Sequence, residues 1–174
     1  EGWSTESSFN SDRFAWLVTN SSNCDYGFNR YATPSDSTGP DLAHSGNSFV
    51  YFEASGRNSG SLITPCFNLQ GHTSVNADFW YHKYGSAMKD LIIEIDTNHS
   101  GNWFAIDSIL GQTQNLFTDA WLPRSINLDA YVNKTVQLKF FARDTILPLR
   151  FRSDMAIDDF TIYSPTLTTI KPGF

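Results

Sequence analysis

Apolar and polar residues alternate with period two in several stretches of this chain, and that alternation dictates strands with one face buried. Phe49-Val50-Tyr51-Phe52-Glu53 and Ala77-Asp78-Phe79-Trp80-Tyr81-His82 are two such runs. Leu91, Ile93 and Ile95 share one face, with Glu94 and Asp96 on the other. Val136, Leu138 and Phe140 alternate with Gln137 and Lys139; Met155 and Ile157 alternate with Ala156 and Asp158, and Phe160 and Ile162 follow. Successive side chains of a strand point to opposite faces, so these segments read as half-buried antiparallel strands. Aromatic residues make up 15% of the chain, a composition that favours strands. Turn signals punctuate the runs, among them Gly39-Pro40-Asp41, Ser45-Gly46-Asn47, Ser55-Gly56, Gln70-Gly71 and Ser100-Gly101. No stretch sustains an apolar helical repeat, and Pro123 argues against a helix interior in the ambiguous stretch Asp119–Leu128. The expected class is all-β, an antiparallel sandwich.

The chain has 174 residues, which suits one domain with a real core. Its 18 acidic residues exceed its 12 basic ones, for a net charge of −6, so binding to nucleic acid by bulk electrostatics is disfavoured. No apolar run approaches the roughly 18–20 residues needed to span a bilayer, so no membrane insertion is expected. Residues 1–164 read as the domain and 165–174, where alternation stops, as the start of an interdomain linker in a longer protein. Two cysteines are present, Cys24 and Cys66. They are either two separate buried thiols or, in an exported protein, one staple closing a loop of about 43 residues.

Enzyme signatures are absent: there is no nucleophile elbow, no zinc-binding histidine pair and no phosphate-cradling glycine loop. Asp96-Thr97-Asn98-His99-Ser100-Gly101 resembles half of a calcium loop, with Asp107 at the twelfth position, but strand patterns flank it, so it reads as a polar hairpin turn. A distributed acidic set is more informative. Asp158 and Asp159 are adjacent in an apolar strand, and strict alternation puts Asp159 on the core face with Ile157. Glu53 shares a face with Phe49 and Tyr51, and Asp41 sits in a turn. Buried carboxylates need hydrogen bonds, ion pairs or a metal, so the set is held either by backbone amides or by a cation. Glu53 and Asp159 are also the pair a glycoside hydrolase would need, although a sandwich of this size leaves little room for a cleft. Two surface features stand apart. Tyr26-Gly27-Phe28-Asn29-Arg30-Tyr31 offers three aromatics and an Arg for stacking on a sugar or a partner, or merely covers an edge. Lys139, Arg143, Arg150 and Arg152 form a basic patch suited to carboxylates or sulfates, or pair with Asp144 and Asp154.

Several strings together resemble one family. Phe79-Trp80-Tyr81-His82-Lys83-Tyr84-Gly85-Ser86-Ala87-Met88 and Ser153-Asp154-Met155-Ala156-Ile157-Asp158-Asp159-Phe160 are similar to the two main motifs of MAM domains. Gly39-Pro40-Asp41, Tyr51-Phe52-Glu53-Ala54-Ser55, Ile63-Thr64-Pro65-Cys66-Phe67-Asn68-Leu69, and Trp121 followed by Ile126-Asn127-Leu128, resemble its other landmarks. The form ending in Pro-Cys-Phe looks most like modules of secreted multidomain proteins of Bacteroidetes. The resemblance implies a jelly-roll sandwich, a secreted or cell-surface setting, no catalysis, and a role in adhesion or as an accessory module. It also implies a structural Ca²⁺, with Asp41, Glu53, Asp158 and Asp159 and carbonyls near His44 as ligands. Trp3, Trp16, Trp80 and Trp121 fall where the family places core aromatics, whereas Trp103 has no such counterpart. The chain departs from animal members in having two cysteines where they usually carry four.

Two functions follow as expectations. The first is a non-catalytic recognition or adhesion module binding a protein or polysaccharide at the cell surface, beside other domains of its own chain. The second is a carbohydrate-binding module attached to a secreted polysaccharide-degrading enzyme. Fold alone does not separate them.

Overall fold

The computed structural model describes residues 2–7, 16–18, 33, 35, 37–55, 59–143 and 150–165. Within them the chain forms a jelly-roll β-sandwich of two antiparallel sheets. The strands are β1 (Ser4–Ser7), β2 (Trp16–Val18), β3 (Val50–Phe52), β4 (Ser59–Ile63), β5 (Phe67–Asn68), β6 (Asn76–His82), β7 (Leu91–Thr97), β8 (Phe104–Ile109), β9 (Leu122–Asn127), β10 (Thr135–Arg143) and β11 (Met155–Tyr163). The first sheet runs β1-β4-β10-β7-β8, with β5 also on β10; the second runs β2-β3-β11-β6-β9. Only two single-turn 3₁₀ helices, Asp129–Tyr131 and Arg150–Arg152, occur among the described residues.

The period-two pattern becomes the core directly. Val136, Leu138, Phe140 and Ala142 of β10 face inward beside Leu91, Ile93 and Ile95 of β7. Ala77, Phe79 and Tyr81 of β6, with Met155, Ile157 and Ile162 of β11, face them from the second sheet. Phe140 is fully buried, and its ring meets Phe79 and Phe160 edge-on at 5.1 and 5.7 Å between centroids. Aromatic pairs in that geometry add to simple burial.

Both sides of the sandwich are fastened. On one, the Trp16 indole N–H donates to the Gly60 carbonyl at 3.1 Å, tying β2 to β4 across the sheets. On the other, Arg124 of β9 grips Asp107 of β8 through two nitrogens at 2.6 and 2.5 Å. Such a fork holds geometry as well as charge, and it raises the Arg124 pKa further. Pro123 sits in exposed β9, at the edge of its sheet, where a missing N–H breaks no internal ladder and discourages pairing with another chain.

Two sequence expectations change. Trp3, taken as a core aromatic, packs its ring at 5.2 Å on Phe160 but stays 41% exposed, because β1 lies at the sheet edge. Cys66 is a free, half-buried thiol whose Sγ lies 3.9 Å from His99 Nδ1, so the staple to Cys24 is not formed in the structure; Cys24 itself lies outside the described residues.

Gly85 is held where two chain segments touch. Its φ is +150°, and a Cβ there would lie 2.1 Å from the Arg152 carbonyl oxygen. Backbone, unlike a flexible side chain, cannot step aside cheaply. Gly85→Ala is expected to lower unfolding free energy by about 3 kcal/mol in urea titrations; a change within ~0.5 kcal/mol would contradict the close approach.

Candidate functional site

The second sheet carries apolar residues on its outer face too: Phe49, Tyr51, Trp121 and Ala156 form a smaller buried cluster with Leu17, Ala43 and Trp80. A strap of residues 38–48 lies against it. Thr38 anchors the strap, its hydroxyl donating to the Tyr84 carbonyl at 2.9 Å and accepting the Asp154 amide at 2.9 Å. Trp121 Nε1 donates to the Leu42 carbonyl at 3.0 Å. The His44 ring stacks on Trp80 with centroids 3.8 Å apart and planes 14° from parallel.

The acidic pair of β11 holds this strap. Asp159 does not face the core as strict alternation requires. A β-bulge shifts the register between Asp158 and Thr161, and Asp159 takes a φ of +49°. An extra residue of this kind turns the chain locally and re-aims a side chain. Both carboxylates therefore reach the same two strap residues. Asp158 Oδ2 accepts the amides of His44 and Ser45 at 3.0 and 3.3 Å. Asp159 Oδ1 accepts the Ser45 hydroxyl at 2.7 Å, and Asp159 Oδ2 lies 2.7 Å from His44 Nδ1. Those bonds from Ser45 and His44 hold the Asp159 carboxyl below its usual range. Burial pushes Asp158 up despite its hydrogen bonds.

The remaining expected ligands lie apart in role. Glu53 is buried, and its Oε1 accepts the Ser55 amide at 2.9 Å. Asp41 is half-buried, and its amide donates to the Phe117 carbonyl at 3.3 Å. Among the described residues no three His, Cys, Asp or Glu side chains gather as an ion would require. His44 and Ser45 approach with N–H groups, whereas Ca²⁺ takes oxygen ligands. As placed, the two carboxylates are held by the strap's amides, the Ser45 hydroxyl and the His44 ring, with lone pairs left on both. Asp96 is likewise consumed locally, accepting from Ser100 and Gly101 in the β7–β8 turn.

The four residues of the basic patch fall on two elements, with Lys139 and Arg143 on one face of β10. Lys139 lies mid-strand with its Nζ 2.5 Å from Glu94 Oε2. Arg143 is exposed at the end of β10. Arg150 opens and Arg152 closes the short helix before β11, and the Arg152 carbonyl accepts the Ala87 amide. The aromatic loop of Tyr26, Phe28, Arg30 and Tyr31 lies outside the described residues.

Sequence reasoning missed a buried polar group of side chains beneath the loop 111–121. Gln114 is 3% exposed; its Oε1 accepts the Lys83 amide at 2.8 Å and its Nε2 donates to the Tyr81 and Ala120 carbonyls, each at 3.3 Å. Lys83 is fully buried, its ammonium donating to the Ile109 carbonyl, and burial draws its pKa down to about 8. His82 is also fully buried, and neither ring nitrogen has a hydrogen-bond partner among the described residues.

The outer face of the first sheet differs from that of the second. Gln137, Lys139 and Phe141 of β10 and Ile92 and Glu94 of β7 are each half-buried there. The half-buried Trp103, just before β8, reaches across β7, and the Lys139 ammonium sits 4.4 Å from its ring centroid. Exposed His99 shares Nδ1 with Gln137 Oε1 at 2.9 Å, and Gln137 Nε2 donates to the Thr64 carbonyl at 3.1 Å.

The sandwich thus has one strapped sheet and one sheet bearing a half-open aromatic and polar face. A sequence profile of the MAM domain, meprin/A5/mu, matches residues 2–166. The chain belongs to the MAM domain family. Among solved structures it is similar to TmCBM61, determined in complex with β-1,4-galactotriose, at 17% identity and TM-score 0.52 over 93% of this chain and 88% of that one. It is similar also to the K1 cleaved adhesin domain of Lys-gingipain from Porphyromonas gingivalis W83, at 17% identity and TM-score 0.51 over 94% and 99%. The K3 cleaved adhesin domain of the same protein gives 15% identity and TM-score 0.50 over 92% and 97%. These likenesses are of fold.

Two predictions follow from the strapped side. Chelation by EDTA is expected to leave the melting temperature unchanged, because protein donors already satisfy Asp158 and Asp159; a fall on chelation would place a cation there after all. The second concerns His82, whose pKa burial lowers from 6.5 to about 4. The unfolded chain therefore takes up a proton near 6.5 that the folded chain refuses until about 4. Stability is full above the higher value and falls between the two, by about 3 kcal/mol in all. His82→Phe is expected to remove that part of the acid sensitivity, read as a flatter profile of unfolding free energy against pH between 7 and 4; an unchanged slope would refute it.

Proposed function

We propose that this MAM domain is a non-catalytic recognition and adhesion module, secreted or held at the cell surface, working beside other domains of a larger protein. The observation that carries the reading is the asymmetry of the two outer faces. One sheet is covered by the chain's own strap, while the other keeps an aromatic and polar surface in reach of a partner. Glu53 and Asp159, the pair a hydrolase would need, are each engaged by neighbouring donors. A general acid or base would need to be free to exchange a proton with substrate.

The second reading is a carbohydrate-binding module of a polysaccharide-degrading enzyme. Trp103 with its polar neighbours favours it, since an aromatic face flanked by hydrogen-bonding groups suits a sugar ring. The galactotriose-bound neighbour shows that a fold of this kind can carry such a site.

The test is to coat a surface with the domain, measure retention of cells and of a polysaccharide panel, and assay the same polysaccharides for new reducing ends. Retention without reducing ends is expected. Release of reducing ends that Glu53→Gln abolishes would overturn the non-catalytic reading, and failure to retain any cell or polymer would overturn recognition.

A further inference from the structure

We propose that the outer face of the first sheet, centred on Trp103, binds a neutral glycan chain. The proposal rests on the recognition reading and names its site and ligand class. The strand register places the groups. One row across the sheet reads Ile63, Lys139, Glu94, Ala105, and the next reads Ser61, Phe141, Ile92, Ser108. Gln137 lies on the same face two residues before Lys139, opposite Asp96. Trp103 stands over the first row, its ring against the Lys139 ammonium. The site thus combines one aromatic ring, an apolar strip of Phe141 and Ile92, and a polar strip of Lys139, Glu94, Gln137 and His99.

A pyranose ring needs that combination. Its C–H face is apolar and its rim carries hydroxyls that both donate and accept. Lys139 only donates, ionised Glu94 only accepts, and Gln137 does both. These groups are held before any ligand arrives. The Gln137 amide is fixed by His99 on one side and the Thr64 carbonyl on the other. Lys139 is fixed by Glu94 and Trp103. Side chains already ordered lose little freedom on binding.

Charge decides the class. Lys139 Nζ and Glu94 Oε2 are 2.5 Å apart, a close ionic contact without hydrogen-bond alignment at that oxygen. Their charges cancel. Asp96 is 2% exposed and turned into its own hairpin. Among the described residues, Arg143 is the one further cation of this face, and it stands at the far end of β10, four residues from Lys139, so the groups beside Trp103 carry no excess positive charge to hold sulfates or carboxylates. A neutral polyhydroxylated chain matches a face whose charges balance.

The experiment is affinity electrophoresis of the intact domain through gels containing neutral, carboxylated or sulfated polysaccharides, at low and high salt. Retardation by a neutral polymer, little changed by salt, is expected. Trp103→Ala should weaken it roughly tenfold or more, while Trp103→Phe keeps a ring and loses less. Glu94→Gln with Lys139→Met, which removes both charges together, should weaken it without creating salt dependence. Melting curves confirm that each variant is folded. If the wild type is retarded and Trp103→Ala is retarded equally, this face is wrong although recognition stands. If only charged polymers retard it, and salt abolishes the effect, the ligand class is wrong. If no polysaccharide retards it while domain-coated surfaces still retain cells, the glycan proposal fails and the adhesion reading survives.

Discussion

The covering of the second sheet depends on a single backbone irregularity, the bulge at Asp158 and Asp159. Residues 49–52, at and just before β3, are apolar on both parities: Phe52 enters the main core, whereas Phe49 and Tyr51 face outward and need their own cover. The strap supplies it, and the bulge holds the strap. Had β11 kept strict alternation, Asp159 would have entered the core, where an unpaired carboxylate costs several kcal/mol. The left-handed turn at Asp159 instead sends two neighbouring carboxylates to the same side. There they collect two amides, a hydroxyl and an imidazole. Tyr51, Trp121 and Ala156 are dry because of it. The asymmetry between the two outer faces, on which the functional reading rests, starts here.

The sandwich class was legible because period two is written wherever one face is buried. β6, β7, β10 and β11 all stand where the alternation of Phe79, Ile93, Leu138 and Ile157 puts them. The same rule failed at Asp159 because a bulge leaves no mark in composition: Asp-Asp reads as two ordinary alternating residues. The family resemblance singled out Asp158 and Asp159, yet the amides of His44 and Ser45 that meet Asp158 come from more than a hundred residues away, and no local pattern announces them. Gln114 was invisible for a similar reason. A lone Gln in a polar loop looks solvated, and only the backbone of Lys83, Tyr81 and Ala120 makes it a buried hub. The basic residues divide between two elements: Lys139 and Arg143 share one face of β10, while Arg150 and Arg152 belong to the short helix before β11.

Rigid edges bear on recognition as much as on stability. Arg124 on Asp107 and Trp16 on Gly60 close the two sides of the sandwich, so the first sheet cannot splay without breaking a buried contact or an ion pair. The Trp103 face is carried by β10 and β7, the central strands of that sheet, whose inner residues are all but fully buried. A face built on such strands keeps its spacing. Loops that reorganise would have to be ordered again at each binding event, which weakens affinity.

The division of labour within β10 explains how one family fold can serve unlike ligands. Its even-numbered residues, Val136, Leu138, Phe140 and Ala142, are fixed by the core and tolerate little change in volume. Its odd-numbered residues, Gln137, Lys139 and Phe141, are half-buried on the outer face. Substituting the odd set alters the surface and leaves the sandwich intact; substituting the even set unfolds it. β7 repeats the arrangement, with Leu91, Ile93 and Ile95 inward and Ile92 and Glu94 outward.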